Sequence, residues 1–156
     1  MIFSITNVIN SIAGQLSRLY PEYPVYRSPS FKTEPPCFYV FIISAKIDDE
    51  PGKRLVREIP FDVVFVQQRN VTDQNLSLLQ MLEVLDEEFD MLTYTDGTTS
   101  CVLHCNERTG KIEDQELHYQ FTIKQRISAQ EIHDYMMTLE ELDAKIKEYS
   151  FAKVSN

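Results

Sequence analysis

The chain has 156 residues, of which 43% are hydrophobic and 25% charged, a composition that fits one compact soluble domain rather than two. Its 15 lysines and arginines against 24 aspartates and glutamates give a net charge of -9, which disfavours general attraction to nucleic acid or anionic membranes. No stretch approaches the ~20 apolar residues that span a bilayer, and the N-terminus lacks the pattern of a signal peptide, so we expect a cytosolic protein.

The first predicted element is an amphipathic helix. Apolar residues recur at spacings of three and four from Ile5 to Leu19, and Pro21 ends the helix because the residue before a proline disfavours helical conformation. Residues 24–27 form a short extended piece. Residues 37–45 are aromatic and β-branched almost throughout, which predicts a strand.

A second strand and a second helix follow a turn at residues 48–53. Residues 55–67 alternate as a strand, and Pro60 within them suggests an edge position or a bulge. The helix begins near Thr72 or Asp73, either of which can cap it. Five apolar residues of this helix are expected to face a core: Leu76, Leu79, Leu82, Leu85 and Phe89.

The last third predicts a hairpin and a helix. After a connector with a turn at residues 95–98, residues 100–106 and 116–124 alternate as strands around a turn at residues 108–111. The final helix has two candidate capping-box starts, and the choice between them stays open: Ser128 with Glu131, and Thr138 with Glu141.

This order of elements predicts an α+β fold, in which helices pack on a mainly antiparallel sheet of four to five strands. We expect a single domain over residues 1–141 and a charged helical extension over residues 142–156. The strand at residues 37–45 is apolar on both faces, which implies cover on both faces. The C-terminal helix or a neighbouring subunit could supply the second cover. The two apolar rows are Phe38, Val40 and Ile42 on one face and Tyr39, Phe41 and Ile43 on the other.

Few residues are suited to catalysis or to binding a metal or cofactor. Three histidines, four glycines and no Gly-x-Ser-x-Gly elbow offer neither a nucleophilic site nor a phosphate loop, so we expect no catalytic residue and no cofactor. A zinc site at Cys101, His104 and Cys105, joined by His118, is the best metal candidate. In a straight strand the two cysteines would lie about 13 Å apart with His104 on the opposite face, so we expect no metal and, with Cys37, three buried thiols. The alternative of His104 and His118 facing each other across the hairpin stays open.

An acidic run lies on the predicted second helix. Its residues flank the apolar stripe, which is typical of a solvated face, although the same charges on many copies lining a channel would repel DNA. The run consists of Glu83, Asp86, Glu87, Glu88 and Asp90.

The order and spacing of these signals resemble the phage tail terminator family over residues 2–141. No single motif carries the resemblance. The segments that carry it are Tyr20-Pro21, Pro24-Val25-Tyr26, Pro36-Cys37-Phe38-Tyr39-Val40, Arg54, Phe61-Asp62-Val63, the acidic leucine-rich helix, Leu117-His118-Tyr119-Gln120-Phe121 and Met137-Thr138-Leu139-Glu140.

The resemblance implies a structural protein of the virion tail that is assembled in the host cytoplasm and is not an enzyme. Members form a ring, usually a hexamer, on the head-proximal end of the tail tube, where they stop tube growth and offer a surface to the head-tail connector. The implied partners are other copies of the chain, the tail tube protein and the connector or stopper, with no membrane and no specific nucleic-acid contact, while DNA is free to pass through the ring. The two apolar rows, including Phe38, Val40, Ile42, Tyr39 and Phe41, are then candidates for the interface between copies. A connector or minor tail component, and a small acidic enzyme or ligand-binding module, remain as alternatives.

Overall fold

The computed structural model describes residues 3–28, 33–68 and 74–128. This part of the chain forms two helices, α1 (Ile5–Leu19) and α2 (Gln74–Glu88), and seven strands. The strands are β1 (Val25–Tyr26), β2 (Cys37–Ile42), β3 (Lys46–Glu50), β4 (Arg54–Val66), β5 (Met91–Thr95), β6 (Ser100–Glu113) and β7 (Glu116–Ser128). Neither of these two helices combines the length and the hydropathy that crossing a membrane requires.

All seven strands belong to one mixed sheet with the order β1-β2-β4-β7-β6-β5. The short β1 runs parallel to β2, and every other pairing is antiparallel. β3 also pairs with β4, on the same edge as β2. β4 and β7 pair along their whole lengths and form the centre of the sheet.

Pro60 lies inside the central strand β4, although the sequence suggested an edge strand or a bulge there. On one side of β4, the partner β3 ends opposite Glu58 and the partner β2 ends opposite Phe61, so Pro60 falls between them. The Pro60 carbonyl accepts a hydrogen bond from the Ile43 N–H at 2.9 Å on that side. The missing N–H of proline therefore leaves no ladder hydrogen bond unmade.

The prediction of a mainly antiparallel sheet of four to five strands is wrong: the sheet is mixed and has seven strands, although α and β elements are both present. Three short strands were missed, namely β1, β3 and β5. The sequence predicted an extended piece in place of β1, a turn in place of β3 and a connector in place of β5. Each is a short segment whose strand conformation depends on pairing with a longer neighbour, which a local pattern does not reveal.

The core lies between the two helices and one face of the sheet. The helices contribute Val8, Ile12 and Leu16 from α1 and Leu78, Met81, Leu85 and the adjoining Phe89 from α2. The sheet contributes alternating residues of the central strands, among them Phe61, Phe65, Leu117, Tyr119, Phe121 and Ile123. α1 begins and ends as predicted: the Ser4 hydroxyl accepts a hydrogen bond from the Asn7 N–H, and the helix ends at Leu19, before Tyr20-Pro21.

The predicted apolar stripe of α2 is only partly correct. Leu85 and Phe89 are buried and Leu82 is half-buried, but Leu76 and Leu79 are 56% and 47% exposed. A spacing of three residues falls short of the 3.6-residue helical turn, so a run of such steps drifts around the helix. The first two leucines consequently lie on the outer face of α2.

The predicted turn at residues 108–111 is wrong, because these residues belong to β6. The β6–β7 turn comes later, at Asp114 and Gln115, which both have positive φ angles of 52° and 66°. An irregularity in the β6–β7 pairing lies between Asn106 and Thr109, where Glu107 has a φ of 54°. A bulge of this kind lets the strand continue through a segment that looks like a turn in the sequence.

The predicted C-terminal helix, its two candidate starts and the extension at residues 142–156 lie outside the described residues, except that Ser128 is the last residue of β7.

Candidate functional site

The two apolar rows of β2 lie on different faces of the sheet. Phe38 and Val40 are 0% and 2% exposed and belong to the core under the helices. These two side chains are therefore occupied within the chain. Ile42, in the same row, is 38% exposed because it stands at the end of the strand. The opposite row, with Tyr39 and Phe41, points to the sheet face that is turned away from α1 and α2, which we call the second face.

The second face carries a line of aromatic rings across β1 and β2. The rings of Tyr26 and Tyr39 have centroids 6.0 Å apart, and those of Tyr39 and Phe41 lie 5.8 Å apart and nearly parallel. The Tyr39 hydroxyl donates a hydrogen bond to Thr33 Oγ1 at 2.8 Å. All three rings are half-buried, and Ile43 at the end of the row is 55% exposed. This apolar strip is a candidate contact surface for another protein.

Next to the aromatic line, β4 and β7 place a histidine beside two carboxylates. His118 Nδ1 lies 3.1 Å from Asp62 Oδ2, and His118 Nε2 lies 3.5 Å from Glu116 Oε2. The other oxygen of Asp62, Oδ1, is buried without a hydrogen-bond partner. Asp62 entered the sequence-based predictions only within the segment Phe61-Asp62-Val63 and not as a site residue, although a carboxylate among the apolar residues 59–66 was a usable signal.

His118 and its two carboxylates do not form a catalytic site among the described residues. An acid–base site that forms a covalent intermediate needs a nucleophile within hydrogen-bond reach of the base. Among the described residues, His118 has polar contacts with the carboxylates of Asp62 and Glu116 and with no nucleophile. We therefore regard the contact between His118 and Asp62 as one that orients β7 and β4 on the second face.

The residues of the metal candidate do not come together. Leu103 and Cys105 are buried on the core side of β6, whereas His104 is exposed and pairs with Met91 of β5. His118 pairs with Lys111, so His104 and His118 do not face each other across the hairpin. Within residues 3–28, 33–68 and 74–128, no group of three or more histidines, cysteines or carboxylates is placed to hold a metal ion.

All three cysteines are free thiols. Cys37 and Cys105 are buried, and Cys101 is half-buried. Burial raises the pKa of the Cys105 thiol to about 12 and also raises the pKa of Cys37. A raised pKa disfavours the thiolate, which is the reactive and metal-binding form, so these two side chains are suited to packing rather than chemistry.

One pocket of about 330 Å³ opens between α1, α2 and the end of β4. Tyr20, Tyr23, Phe65 and Met81 form its apolar wall, and the polar lining consists of glutamine and serine side chains such as Gln67. Among the described residues that line the pocket, the titratable side chains are those of tyrosines. The pocket therefore lacks the convergent ionisable groups expected of the alternative small acidic enzyme.

The acidic run of α2 divides into bonded and unbonded carboxylates. Tyr119 Oη donates to Asp86 at 2.8 Å, Arg18 pairs with Glu88 at 3.1 Å, and Arg108 lies 3.5 Å from Asp90. Burial, together with the hydrogen bond to Asp86, raises the pKa of Tyr119. Glu83 and Glu87 are exposed, and the described residues offer them no ion pair.

The comparisons with known proteins agree with the resemblance found in the sequence. A family model described as a phage tail terminator protein matches residues 7–135, which extend from α1 through β7. No curated protein matches the chain.

Proposed function

The chain belongs to the phage tail terminator family, and we propose that it assembles as a hexameric ring, as is usual in that family, on the head-proximal end of the tail tube.

 In that position the ring stops tube growth and offers a surface to the head-tail connector. The family is structural, so the chain is a component of the virion tail. We place its assembly in the host cytoplasm and assign it no enzymatic activity.

The observation that carries this proposal is the family match, which covers residues 7–135, from the first turn of α1 to the end of β7, rather than one motif. Two features of the molecule support it. The second face presents Tyr39, Phe41 and Ile43 in a row, which is more apolar surface than a solvated sheet face needs. The pocket of about 330 Å³ also lacks a convergent set of ionisable groups that would favour catalysis.

A ring requires that two different surfaces of each copy meet, because a cyclic head-to-tail assembly is heterologous. The partners that we propose are therefore other copies of the chain at the sides of the ring, the tail tube protein below it and the connector or stopper protein above it. The net charge of -9 gives no general attraction to the DNA that would pass through the ring.

The experiment that tests the proposal is deletion of the gene from its phage, followed by electron microscopy of the lysate. We expect tails of irregular and excessive length without attached heads, and tails of normal length when the gene is supplied on a plasmid. Tails of normal length without heads would contradict the proposal and favour the connector alternative. Normal virions would exclude both roles.

A further inference from the structure

The β3–β4 hairpin and the end of β7 form an extension of the sheet with an unusual charge. Residues 46–58 and 124–126 contain six of the 15 lysines and arginines of the chain but only four acids, so this extension has a charge of +2 in a chain of -9. Ile47, 45% exposed, lies among these charges. Positive charge is therefore concentrated at one end of an acidic molecule.

Some of these cations already have partners. Lys46 pairs with Asp48, Lys124 with Glu58 and Glu107, and Arg126 with Glu50. In the described part of the chain, no ion pair involves Lys53, Arg54 or Arg57, which we call the basic tip. Lys53 and Arg54 are exposed, and Arg57 Nε is buried without a hydrogen-bond partner. The basic tip is thus a set of cations that form no ion pair with the described residues.

The outer face of α2 has the complementary character. Glu83 and Glu87 are one helical turn apart on this face, where they repel each other, and Glu87 lies in the last turn, where the helix dipole disfavours negative charge. The exposed Leu76 and Leu79 lie on the same side of the helix. We call these four residues the acidic face. The acidic face therefore combines two exposed apolar side chains with two negative charges.

The basic tip and the acidic face cannot meet within one chain. The acidic end of α2 is fixed over β7 by the hydrogen bond between Asp86 and Tyr119. Arg54 lies opposite Ser128 in the β4–β7 register, and Ser128 is nine residues after Tyr119 along β7. At ~3.3 Å per residue the two sites are about 30 Å apart, which is far beyond the reach of two side chains. A contact between them has to join two molecules.

We infer that the basic tip of one copy docks on the acidic face of α2 in the next copy, and that this contact joins neighbouring subunits of the ring. The inference rests on the proposed function, because it names the surfaces through which the ring would close. The basic tip and the acidic face differ from each other and lie far apart on the molecule, which is the arrangement that a heterologous cyclic interface requires. Charge complementarity would set the register, and the exposed Ile47, Leu76 and Leu79 would be buried in the contact.

The test is a charge exchange in the full-length protein. K53E/R54E and E83K/E87K should each weaken self-association at least about tenfold, as measured by sedimentation over a range of concentrations at low salt. The combined variant, with charges exchanged on both surfaces, should recover assembly. High salt should weaken the wild-type association, because most of these charges are exposed.

Matched controls separate the contact from net charge. R27E/K111E changes the net charge as K53E/R54E does, and E22K/E113K changes it as E83K/E87K does, but these exposed residues lie outside both surfaces. The controls should assemble as the wild type does. Circular dichroism should show that all variants keep the wild-type fold.

Several results would overturn the inference. These are a wild-type chain that stays monomeric at every concentration, charge-reversal variants that assemble normally, and a combined variant that is no better than its parents. Loss of binding to a DNA duplex by K53E/R54E with unchanged self-association would instead make the basic tip a nucleic-acid contact. The tail lengths of the gene deletion are measured independently, so the proposed function can stand when this inference fails.

Discussion

Leu82 of α2 occupies the space beside Gly110 of β6 in which a Cβ atom at position 110 would lie. The backbone of Gly110 does not have a positive φ, so conformational freedom is not the reason for a glycine at this position. The reason is the close approach of α2 to the strand. Gly110 therefore helps to set the distance between the helix and the sheet.

Gly110→Ala should destabilise the protein by about 1–2 kcal/mol, because the added methyl group forces the Leu82 side chain to move. In a Leu82→Ala background the same substitution should cost much less, since the obstructing atoms are gone. Urea unfolding of the four variants measures this coupling. Gly14→Ala is the control: a Cβ atom there meets no atom within 4 Å, and alanine should stabilise α1 by up to about 1 kcal/mol. Additive effects of the two substitutions at positions 110 and 82 would contradict the prediction.

The buried thiol of Cys105 should make the protein less stable at alkaline pH. The pKa of this thiol is about 12 in the folded chain against 9.0 as its ordinary value. Above pH 9 the unfolded chain has lost this proton while the folded chain keeps it, so the free energy of unfolding falls as the pH rises from about 9 towards 12. Between about pH 8 and about pH 10, Cys105 alone should lower the free energy of unfolding by about 1 kcal/mol.

Urea unfolding of the wild type and of Cys105→Ala at both pH values isolates this contribution. The substitution lowers stability at both, because it removes a packed side chain, but the decline with pH should be smaller in the variant. Equal declines in the two proteins would show that the thiol does not carry the effect.

Arg108 should stabilise the end of α2. Its guanidinium donates a hydrogen bond to the Asp86 carbonyl at 2.5 Å and lies 3.5 Å from the Asp90 carboxylate. Carbonyl groups in the last turn of a helix have no partner within the helix. We expect Arg108→Ala to lower the free energy of unfolding by about 1 kcal/mol. Lys111→Ala, which breaks an exposed ion pair with Glu113, should leave the free energy of unfolding almost unchanged. A larger effect at Lys111 than at Arg108 would contradict this account.

The elements that the sequence predicted well are those with a strong internal period. α1 repeats its apolar residues over four turns, and the alternating rows of β4 and β7, such as Phe61, Val63, Tyr119 and Phe121, all reach the core. Such patterns determine which side of an element is buried, whatever the neighbours are.

The elements that were missed depend on partners distant in the sequence. β3 consists largely of charged residues, and it is a strand because it pairs with residues 54–58 of β4. The turn of the β6–β7 hairpin was misplaced because Gly110 is typical of a turn, whereas here it makes room for Leu82 and the turn uses Asp114 and Gln115 instead. In β2, alternation identified two apolar rows but could not tell which row the helices cover.

The row that remains accessible gives the last prediction. Ile43 is 55% exposed at the end of the second-face row, and its backbone N–H donates a hydrogen bond to the Pro60 carbonyl. Ile43→Glu should therefore leave the melting temperature almost unchanged. If this row lies between copies, the buried carboxylate should abolish ring assembly and fail to restore normal tail length in the deletion phage. Ser17→Glu, which adds the same charge on the exposed side of α1, should assemble normally, whereas Phe38→Glu should unfold the chain. Normal assembly of Ile43→Glu would remove this row from the interface and leave the basic tip and the acidic face as the surfaces to test.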